Sequence, residues 1–219
     1  MITFVCKIGK VLVYLLEAIG RVFALVWTQK TSRLWESVIS HIYTGWLRYR
    51  FKEFGKDSLI SYRAMNLKGL EHIKIGNKSK IGANVQLTAW SINSNRPIIR
   101  IGNNCCIRDN AHITAIDFIR IGDNLLTGTN VLISDNAHGE FTKSDLVKSP
   151  LVRSVTSKGG VTIGDNVWLG NNVCVLSGVT IGQGVVVGAN SVVLHDVPDF
   201  TMVAGTPARV VKRLSEKNE

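Results

Sequence analysis

A repeat of six residues runs through much of this chain. From Ile163 to Val193 every sixth residue is a branched aliphatic, and glycine directly follows four of these residues. A period of six fits neither the 3.6-residue period of a helix nor the alternation of a long strand. It predicts short strands that each point one aliphatic side chain inward and are joined at tight corners. The repeated positions are Ile163, Leu169, Val175, Ile181, Val187 and Val193.

The same spacing occurs earlier, from Ile75 to Leu87 and from Ile101 to Ile119, and it shifts phase at Ile121 before it returns at Ile133. Three such units predict a three-sided coil of about eighteen residues, and stacked coils would align the aliphatics in an internal ladder. Asn and Asp favour the corners because they tolerate positive φ. The predicted corner residues are Asn103, Asn104, Asp123, Asn124, Asp165, Asn166, Asn171 and Asn172.

With this repeat, residues 65–213 resemble the hexapeptide-repeat acyltransferases. The resemblance implies an all-β solenoid, a left-handed parallel β-helix, that forms a homotrimer with active sites in the clefts between subunits. We predict three parts: an N-terminal amphipathic helical segment at 1–60, the β-helix at 61–213 with a protruding loop at 134–160, and a short tail at 214–219.

The first 56 residues are apolar with basic interruptions. The charged residues of the first predicted helix fall on one narrow stripe, and a second helix is expected after Thr31 or Ser32. The uncharged runs are shorter than the roughly 20 residues of a transmembrane helix. Two interpretations remain open. The helices lie on the cytoplasmic face of the membrane, with basic residues toward acidic lipid, or they pack on the protein's own body or on a neighbouring subunit.

Composition limits the partners and the compartment. Lys and Arg number 26 against 16 Asp and Glu, a net charge of +10, but the basic residues are dispersed rather than set in a recognition motif. We therefore predict no nucleic-acid partner. The four cysteines include no Cys-x-x-Cys pair, which argues against a zinc ribbon and favours a reducing, cytoplasmic compartment.

The hexad spacing stops after Ile133 and resumes near Val161. A loop of this length in a solenoid is typically functional or disordered. The sequence here resembles the sugar O-acetyltransferases of the galactoside and maltose type, in which a catalytic His opens such a loop at a fixed distance after an Ile-Gly pair. The matching pair is Ile121-Gly122, and the resemblance implies that His138 is the catalytic residue.

The chemistry requires little else from the protein. A sugar hydroxyl becomes a good nucleophile when a general base takes its proton, and imidazole suits this role near neutral pH. A backbone N–H would stabilise the oxyanion formed from acetyl-CoA, and neither a metal nor a covalent enzyme intermediate is needed. The candidates that orient the imidazole are Asp135, Asn136 and a backbone carbonyl.

The tetrapeptide ending at His112 repeats the one ending at His138. Because His112 directly precedes the inward Ile113, it should point outward, as a surface or interface residue or as part of the same cleft. Arg108 stands where some sugar acetyltransferases have Asn, which indicates a different acceptor from simple galactosides. The candidate substrate residues are Asp109, Asn110, Asp135 and Asn136.

Motifs after the loop resemble the coenzyme side of the family. The matching Trp of the family lines the cleft, and the residue matching Asn171 offers a backbone N–H to the thioester. Backbone groups near Ala189 would hold the pantetheine arm, and a C-terminal pair would bind the phosphates. The alternative for Trp168 is an ordinary exposed aromatic residue packed at a subunit interface. The alternative for Arg209 and Lys212 is a solvated basic tail. The resemblance assigns Trp168, Gly170, Asn171, Ala189, Asn190, Arg209 and Lys212 to coenzyme binding.

Together these features predict an acetyl-CoA-dependent O-acetyltransferase that modifies a saccharide for capsule, O-antigen or exopolysaccharide synthesis. An N-acyltransferase acting on an amino sugar is the alternative enzyme. A non-catalytic or metal-binding β-helix is the alternative class, but a metal site needs more His ligands on adjacent coils than His112 and His138 supply.

Overall fold

The computed structural model describes residues 2–90 and 99–214. The chain divides into two compact units, one up to Ile39 and one from Ser40 onward. The predicted N-terminal helical region is present as α1 (Ile2–Val26) and α2 (Gln29–Leu47), and a short α3 (Lys143–Leu146) lies far along the chain. The predicted tail lies outside the described residues, apart from Leu214.

Helix α2 begins before the predicted Thr31 or Ser32. The hydroxyl of Thr28 accepts a hydrogen bond from the backbone N–H of Thr31 at 3.3 Å, and the Thr31 hydroxyl donates to the Thr28 carbonyl at 2.7 Å. Thr28 therefore supplies the capping hydroxyl. Among the described residues no single helix is long and apolar enough to cross a membrane, whereas Lys10–Leu25 and Gln29–Arg50 meet that length and composition together as a bent pair.

The second unit is built from short strands joined by turns. Three 3₁₀ turns occur at Arg48–Arg50, Leu70–His72 and Pro150–Val152. The strands are β1 (Glu53–Phe54), β2 (Leu59–Ile60), β3 (Met65–Lys68), β4 (Ile73–Ile75), β5 (Lys80–Ile81), β6 (Gln86–Ala89), β7 (Ile99–Ile101), β8 (Cys106–Ile107), β9 (His112–Ala115), β10 (Ile119–Ile121), β11 (Leu126–Thr127), β12 (Leu132–Ser134), β13 (Ala137–His138), β14 (Val155–Thr156), β15 (Val161–Ile163), β16 (Trp168–Leu169), β17 (Cys174–Val175), β18 (Thr180–Ile181), β19 (Val186–Val187), β20 (Val192–Val193), β21 (Thr201–Ala204) and β22 (Arg209–Arg213).

Successive strands visit three parallel sheets in turn, as a three-sided coil requires. Strands β13 and β14 form a separate antiparallel pair, and β22 is antiparallel to β21. The first sheet has the order β1-β4-β7-β10-β15-β18, the second β2-β5-β8-β11-β16-β19-β21-β22, and the third β3-β6-β9-β12-β17-β20.

The predicted aliphatic ladder fills the interior of this coil. In the third sheet Ile113 pairs in register with Leu87 and Ile133, and all three side chains are fully buried. In the second sheet Thr127 replaces an aliphatic in register with Leu169, and its hydroxyl accepts the backbone N–H of Arg108 at 2.9 Å. Burying these aliphatics stabilises the fold by about 1.5–3 kcal/mol for each large side chain.

Asparagine and aspartate side chains stack at the corners. Asn124 has a φ of 60° and donates from its side-chain amide to the Asn166 side chain at 2.9 Å. At a second corner position Asp165 accepts the backbone N–H of Asp123 at 2.7 Å, and Asp123 accepts that of Asn103 at 2.7 Å. The side chains therefore satisfy backbone donors that the turns would otherwise leave unpaired.

The coil begins before the predicted boundary at residue 61. Phe54 pairs in register with Ile75, and Gly55 donates its N–H to the Ile75 carbonyl at 2.8 Å. Phe54-Gly55 thus takes the place of an Ile-Gly pair in the first coil. The six-residue spacing of branched aliphatics does not reveal this coil, because an aromatic residue stands in the place of the aliphatic.

Candidate active site

Of the five connections from the third sheet to the first in the described residues, the first four lie at one corner of the coil and line a common cleft. Regular coils repeat every 18 residues, as the stacked pair Asn172 and Asn190 shows. The stacked pairs at other coils are separated by 26, 20 and 42 residues instead. The additional residues lie between β6 and β7, between β9 and β10, and between β12 and β15.

A cleft of about 680 Å³ opens where these connections leave the coil. Each of the four connections contributes residues to its wall. Strand residues of the third sheet, among them Thr88, His112 and Thr114, line it as well. Those from the connections and their flanks include Asn66, Lys68, Glu71, His72, Trp90, Ile116, Asn136, His138 and Val155.

His138 lies at one side of this cleft and is exposed. It belongs to β13, where it pairs with Val155 of β14, and the next residue, Gly139, donates its N–H to the Ser154 carbonyl at 2.8 Å. The predicted loop at 134–160 is thus a hairpin with a helical tip. The hairpin fixes the backbone on both sides of the imidazole.

Asp135 is fully buried at the base of this hairpin. Its two carboxylate oxygens accept the backbone N–H groups of Ile116 at 2.9 Å and Asp117 at 2.8 Å, and the Asn136 amide donates to the same carboxylate at 3.1 Å. Burial raises the pKa of Asp135, and these hydrogen bonds oppose that rise. The carboxylate ties the hairpin to the preceding coil and does not hydrogen-bond the His138 ring.

Asn136 strengthens the same attachment. Its side-chain amide donates to the Thr114 carbonyl at 3.2 Å, and the backbone N–H of Asp135 donates to that carbonyl at 3.3 Å. Within the described residues neither Asn136 nor Asp135 orients the His138 imidazole directly. Asn136 lines the cleft, whereas Asp135 lies beneath it.

His112 lines the same cleft, on the outer face of the third sheet. It pairs in register with Gln86 and Leu132, which are uncharged. Burial lowers the pKa of the His112 imidazole. Three imidazoles, those of His72, His112 and His138, therefore line one cavity, and His112 is favoured as the neutral form.

The two other candidate substrate residues lie at corners and are not among the described residues that line the cleft. The Asp109 carboxylate accepts the backbone N–H of Ala83 at 2.9 Å. Asn110 has a φ of 61° and accepts a hydrogen bond from the Asn84 amide at 3.0 Å. The structure gives both a role in the corner stacks.

The residues predicted to bind the coenzyme lie along the later coils. Trp168 is half exposed on the outer face of the second sheet, in register with Leu126 and Val186. Gly170 permits a close approach of two coils, because a Cβ there would lie 2.6 Å from the Ala189 backbone nitrogen. Ala189 therefore stacks directly on the coil that carries Trp168.

Asn171 and Asn190 belong to corner turns. The Asn171 side chain accepts the N–H of Thr129 at 2.9 Å, and its carbonyl accepts the N–H of Asn190 at 2.8 Å. Asn190 has a φ of 58°, and its carbonyl accepts the Thr206 hydroxyl at 3.0 Å. These contacts fix the turn backbone on which the proposed coenzyme contacts depend.

The two basic residues of the C-terminal motif lie on β22 and are exposed. Arg209 donates to the Ala208 carbonyl at 3.0 Å. Lys212 pairs with Met202 of β21 and lines a second cavity of about 250 Å³ together with Val186 and Phe200. The motif thus forms an edge strand that carries two cations beside a small apolar hollow.

Several cleft residues were missed by the sequence analysis. Trp90, Glu71 and His72 belong to the first two connections from the third sheet, and Lys68 ends the strand before the first of them. The signal was available: Ile75 and Ile101 occupy the same ladder position but are 26 residues apart, as are Asn77 and Asn103. In residues 2–90 and 99–214 no group of three or more His, Cys, Asp or Glu side chains has a geometry that could hold a metal ion.

A family model for the bacterial transferase hexapeptide, six repeats, matches residues 160–195. Over 85 residues the chain is 38% identical to a putative lipopolysaccharide biosynthesis O-acetyl transferase, WbbJ, of Escherichia coli, covering 37% of this chain and 43% of that protein. Over 59 residues it is 56% identical to the 2,3,4,5-tetrahydropyridine-2,6-dicarboxylate N-acetyltransferase of Lacticaseibacillus casei, covering 27% of this chain and 25% of that protein. The matches thus span less than half the length of these relatives.

Solved structures extend the likeness along the chain. A hexapeptide-repeat acetyltransferase of Vibrio cholerae, in complex with acetyl coenzyme A, is 28% identical with a TM-score of 0.56, covering 77% of this chain and 74% of that one. An N-acyltransferase of Bacillus cereus shares the fold at 23% identity and a TM-score of 0.63, covering 76% and 86%. The predicted resemblance to the hexapeptide-repeat transferases is confirmed by these matches.

Proposed function

We propose that this hexapeptide-repeat transferase moves an acetyl group from acetyl-CoA to a hydroxyl of a saccharide, in the synthesis of a cell-surface polysaccharide. The observation that carries the proposal is the cleft of about 680 Å³ with the exposed His138 imidazole at its wall. The likeness to the O-acetyl transferase of E. coli supports the choice of a hydroxyl acceptor.

His138 is the general base of this reaction. Its imidazole takes the proton of the acceptor hydroxyl as the hydroxyl oxygen attacks the thioester carbonyl, a role worth about 10²–10⁴-fold in rate. A backbone N–H near Asn171 stabilises the negative charge on the carbonyl oxygen. The C–S bond then breaks, the acceptor keeps the acetyl group as an ester, and the thiolate recovers a proton.

The later coils hold the co-substrate. The exposed face of Trp168 and the backbone of Ala189 and Asn190 suit a long amide-bearing arm, because a solenoid edge offers regularly spaced main-chain groups. Arg209 and Lys212 supply charge-assisted hydrogen bonds to phosphates. Acetyl-CoA is therefore the expected donor, and acetyl rather than a longer acyl chain is part of the proposal.

A left-handed coil and a homotrimer complete this assignment, and both rest on the resemblance to the family. The helical tip of the hairpin favours a subunit interface, because it carries five exposed apolar residues that its own coil does not cover: Phe141, Leu146, Val147, Leu151 and Val152. In the trimer this hairpin would bring His138 to the coenzyme edge of the adjacent subunit.

The N-terminal helices place the enzyme on the cytoplasmic face of a membrane as a peripheral protein. Residues 1–120 contain 18 Lys and Arg against 7 Asp and Glu, whereas residues 121–219 contain 8 against 9, so the excess of positive charge lies entirely in the first part. Large apolar side chains on α1, such as Leu15, Ile19 and Phe23, are more than half exposed. An apolar helix in a basic segment suits an anionic lipid surface.

Replacement of His138 tests the reaction. His138→Ala should lower kcat for acyl transfer by about 10²–10⁴-fold while the Kd for coenzyme A stays within about twofold. The matched control is His195→Ala, an exposed His in the last coil. Full transferase activity in a folded His138→Ala protein would show that another group is the base.

An N-acyltransferase is the second candidate, supported by the 56% identity to an N-acetyltransferase. Paired acceptors decide between them: a hexose and the matching amino sugar are incubated with labelled acetyl-CoA. An ester product is cleaved by mild base and an amide product is not. A base-stable product formed only from amino sugars would replace the O-acetyltransferase assignment.

Vesicle flotation tests the membrane placement. The full chain should float with vesicles rich in anionic lipid and less with neutral vesicles. The double variant Leu15→Asp, Ile19→Asp should remain in the dense fraction, whereas Leu151→Asp, at an even more exposed site in the hairpin, should float normally. Flotation that both variants retain would leave only a packing role for α1.

A further inference from the structure

The wall of the cleft carries an aromatic ring beside a cation. The Lys68 ammonium lies 4.8 Å from the centroid of the Trp90 ring, and both residues line the cleft. Trp90 is 46% exposed. Neither residue belongs to the coenzyme motif or to the hairpin that carries His138.

The backbone fixes this pair in place. Trp90 follows β6, and its N–H donates to the Ala115 carbonyl at 2.8 Å, on the coil that also carries His112 and Thr114. Lys68 ends β3 and pairs in register with Thr88 of β6. The ring and the ammonium are therefore attached to adjacent strands of one sheet rather than to a separate loop.

The positive charge in this part of the cleft belongs to Lys68. Glu71, the acidic residue closest to Lys68 in sequence, lies beside His72, with 3.8 Å between its carboxylate and the imidazole Nε2. Among the described residues Lys68 makes no ion pair with a carboxylate. The Thr88 side chain is almost fully buried in the same wall, and its hydroxyl has no hydrogen-bond partner in the described structure.

An exposed indole face suits the apolar C–H face of a pyranose ring, and an ammonium beside it suits an anionic substituent of that sugar. On the strength of the proposed acyl transfer, we propose that Trp90 and Lys68 form the acceptor subsite and select a saccharide that carries an anionic group. That group is a sugar phosphate or a uronic acid carboxylate. The hydroxyl to be acylated would then lie toward His138.

This assignment moves the acceptor contact away from the corner residues Asp109 and Asn110. It also fits the charges of the wall: among the described residues Lys68 has no carboxylate partner, whereas Glu71 lies beside His72, and this favours an anion next to Lys68 over a second cation. A simple neutral sugar would leave the Lys68 ammonium without a partner.

Direct binding to the full chain provides the test, independent of any turnover. Glucose, galactose and mannose are compared with their 1-phosphates and their uronates by isothermal titration. At least one anionic member should bind about tenfold more tightly than its neutral parent, and the phosphate and uronate arms identify the source of the charge. No preference for any anionic member would overturn the proposal.

Variants assign the preference to this subsite. Lys68→Met should remove the tenfold advantage of the anionic sugar and leave the affinity for its neutral parent unchanged. Trp90→Leu should weaken both, and Trp90→Phe should restore part of the binding. Lys80→Met, an exposed strand lysine on the second sheet, is the matched control.

Coenzyme binding separates this inference from the proposed function. The Kd for coenzyme A should be the same in Lys68→Met and in the unaltered chain. A loss of coenzyme affinity in Lys68→Met would show that Lys68 serves the donor and would refute the acceptor subsite. Selective sugar binding without acyl transfer would instead retain the subsite and refute the transferase.

Discussion

The carboxylate of Asp135 accepts the backbone N–H of Asp117 at 2.8 Å, across the gap between two successive coils. Its second oxygen accepts the N–H of Ile116 at 2.9 Å. One buried side chain thus joins the base of the hairpin that carries His138 to the connection beneath it. Although it does not touch the imidazole, it sets the direction in which the hairpin leaves the coil.

Asp135→Asn should destabilise the protein by about 1–3 kcal/mol, because its amide group would face a backbone N–H and leave a buried donor unpaired. Urea denaturation measures the change in the free energy of unfolding. Asp117→Asn keeps the backbone donor and alters only an exposed side chain, so it should change that free energy by less than about 0.5 kcal/mol. Equal losses in the two variants would contradict this account of Asp135.

His112 should make stability depend on pH. Because burial lowers its folded-state pKa, the unfolded chain binds more protons below the usual value of 6.5. The contribution of His112 is therefore complete above that pH and is lost as the pH falls through 6.5 toward the folded pKa. Unfolding free energies at several pH values between 5 and 8 should fall less steeply on the acid side in His112→Gln. An unchanged slope would exclude His112 as the source.

Thr127 should protect the Arg108 amide from exchange with solvent. Its buried hydroxyl accepts that N–H at 2.9 Å in the place of a ladder aliphatic. Thr127→Val restores an aliphatic but should leave the donor unpaired, at a cost of about 1–3 kcal/mol. Hydrogen exchange at Arg108 should become faster in Thr127→Val and stay slow in Thr127→Ser, which keeps the acceptor. Equal protection in both variants would show that the hydroxyl is not needed.

Two glycines should respond to alanine in opposite directions. A Cβ at Gly122 would lie 2.2 Å from the Asp165 carboxylate and 2.8 Å from the Gly164 carbonyl carbon, so Gly122→Ala should destabilise the coil by about 1–3 kcal/mol. At Gly45, within α2, nothing lies within 4 Å, and alanine should stabilise by about 0.5–1 kcal/mol. Thermal denaturation of both variants checks the signs, and a shift in the same direction for both would contradict the stacking geometry.

The inward ladder could be predicted from the sequence because each six-residue unit buries one aliphatic and turns at a polar corner. Ile163, Leu169 and Val175 are all fully buried as expected. The first coil was missed because Phe54 stands in the position of an aliphatic. The handedness of the coil is not encoded in this periodicity, since either hand gives the same inward spacing.

The candidate site was harder to predict because it depends on what the connections do after they leave the coil. Asp109 and Asp135 open identical tetrapeptides. Asp109 enters a corner stack because the next ladder aliphatic, Ile113, follows Ile107 by six residues and the chain continues the coil. Asp135 turns under the hairpin because Gly139 follows instead and the chain leaves the coil. The distance between ladder positions would have located Trp90 at the same edge of the coil as His138, because both residues follow strands of the third sheet.

The spacings of 26, 20 and 42 residues all arise at one edge of an otherwise regular stack. The parallel strands on either side of that edge keep their register although the connections between them differ in length. Changes in length there alter the depth of the cleft and leave the interior as it was. A frame of this kind separates the requirement for a stable scaffold from the requirement to recognise a new acceptor, so that each can change while the other stays the same.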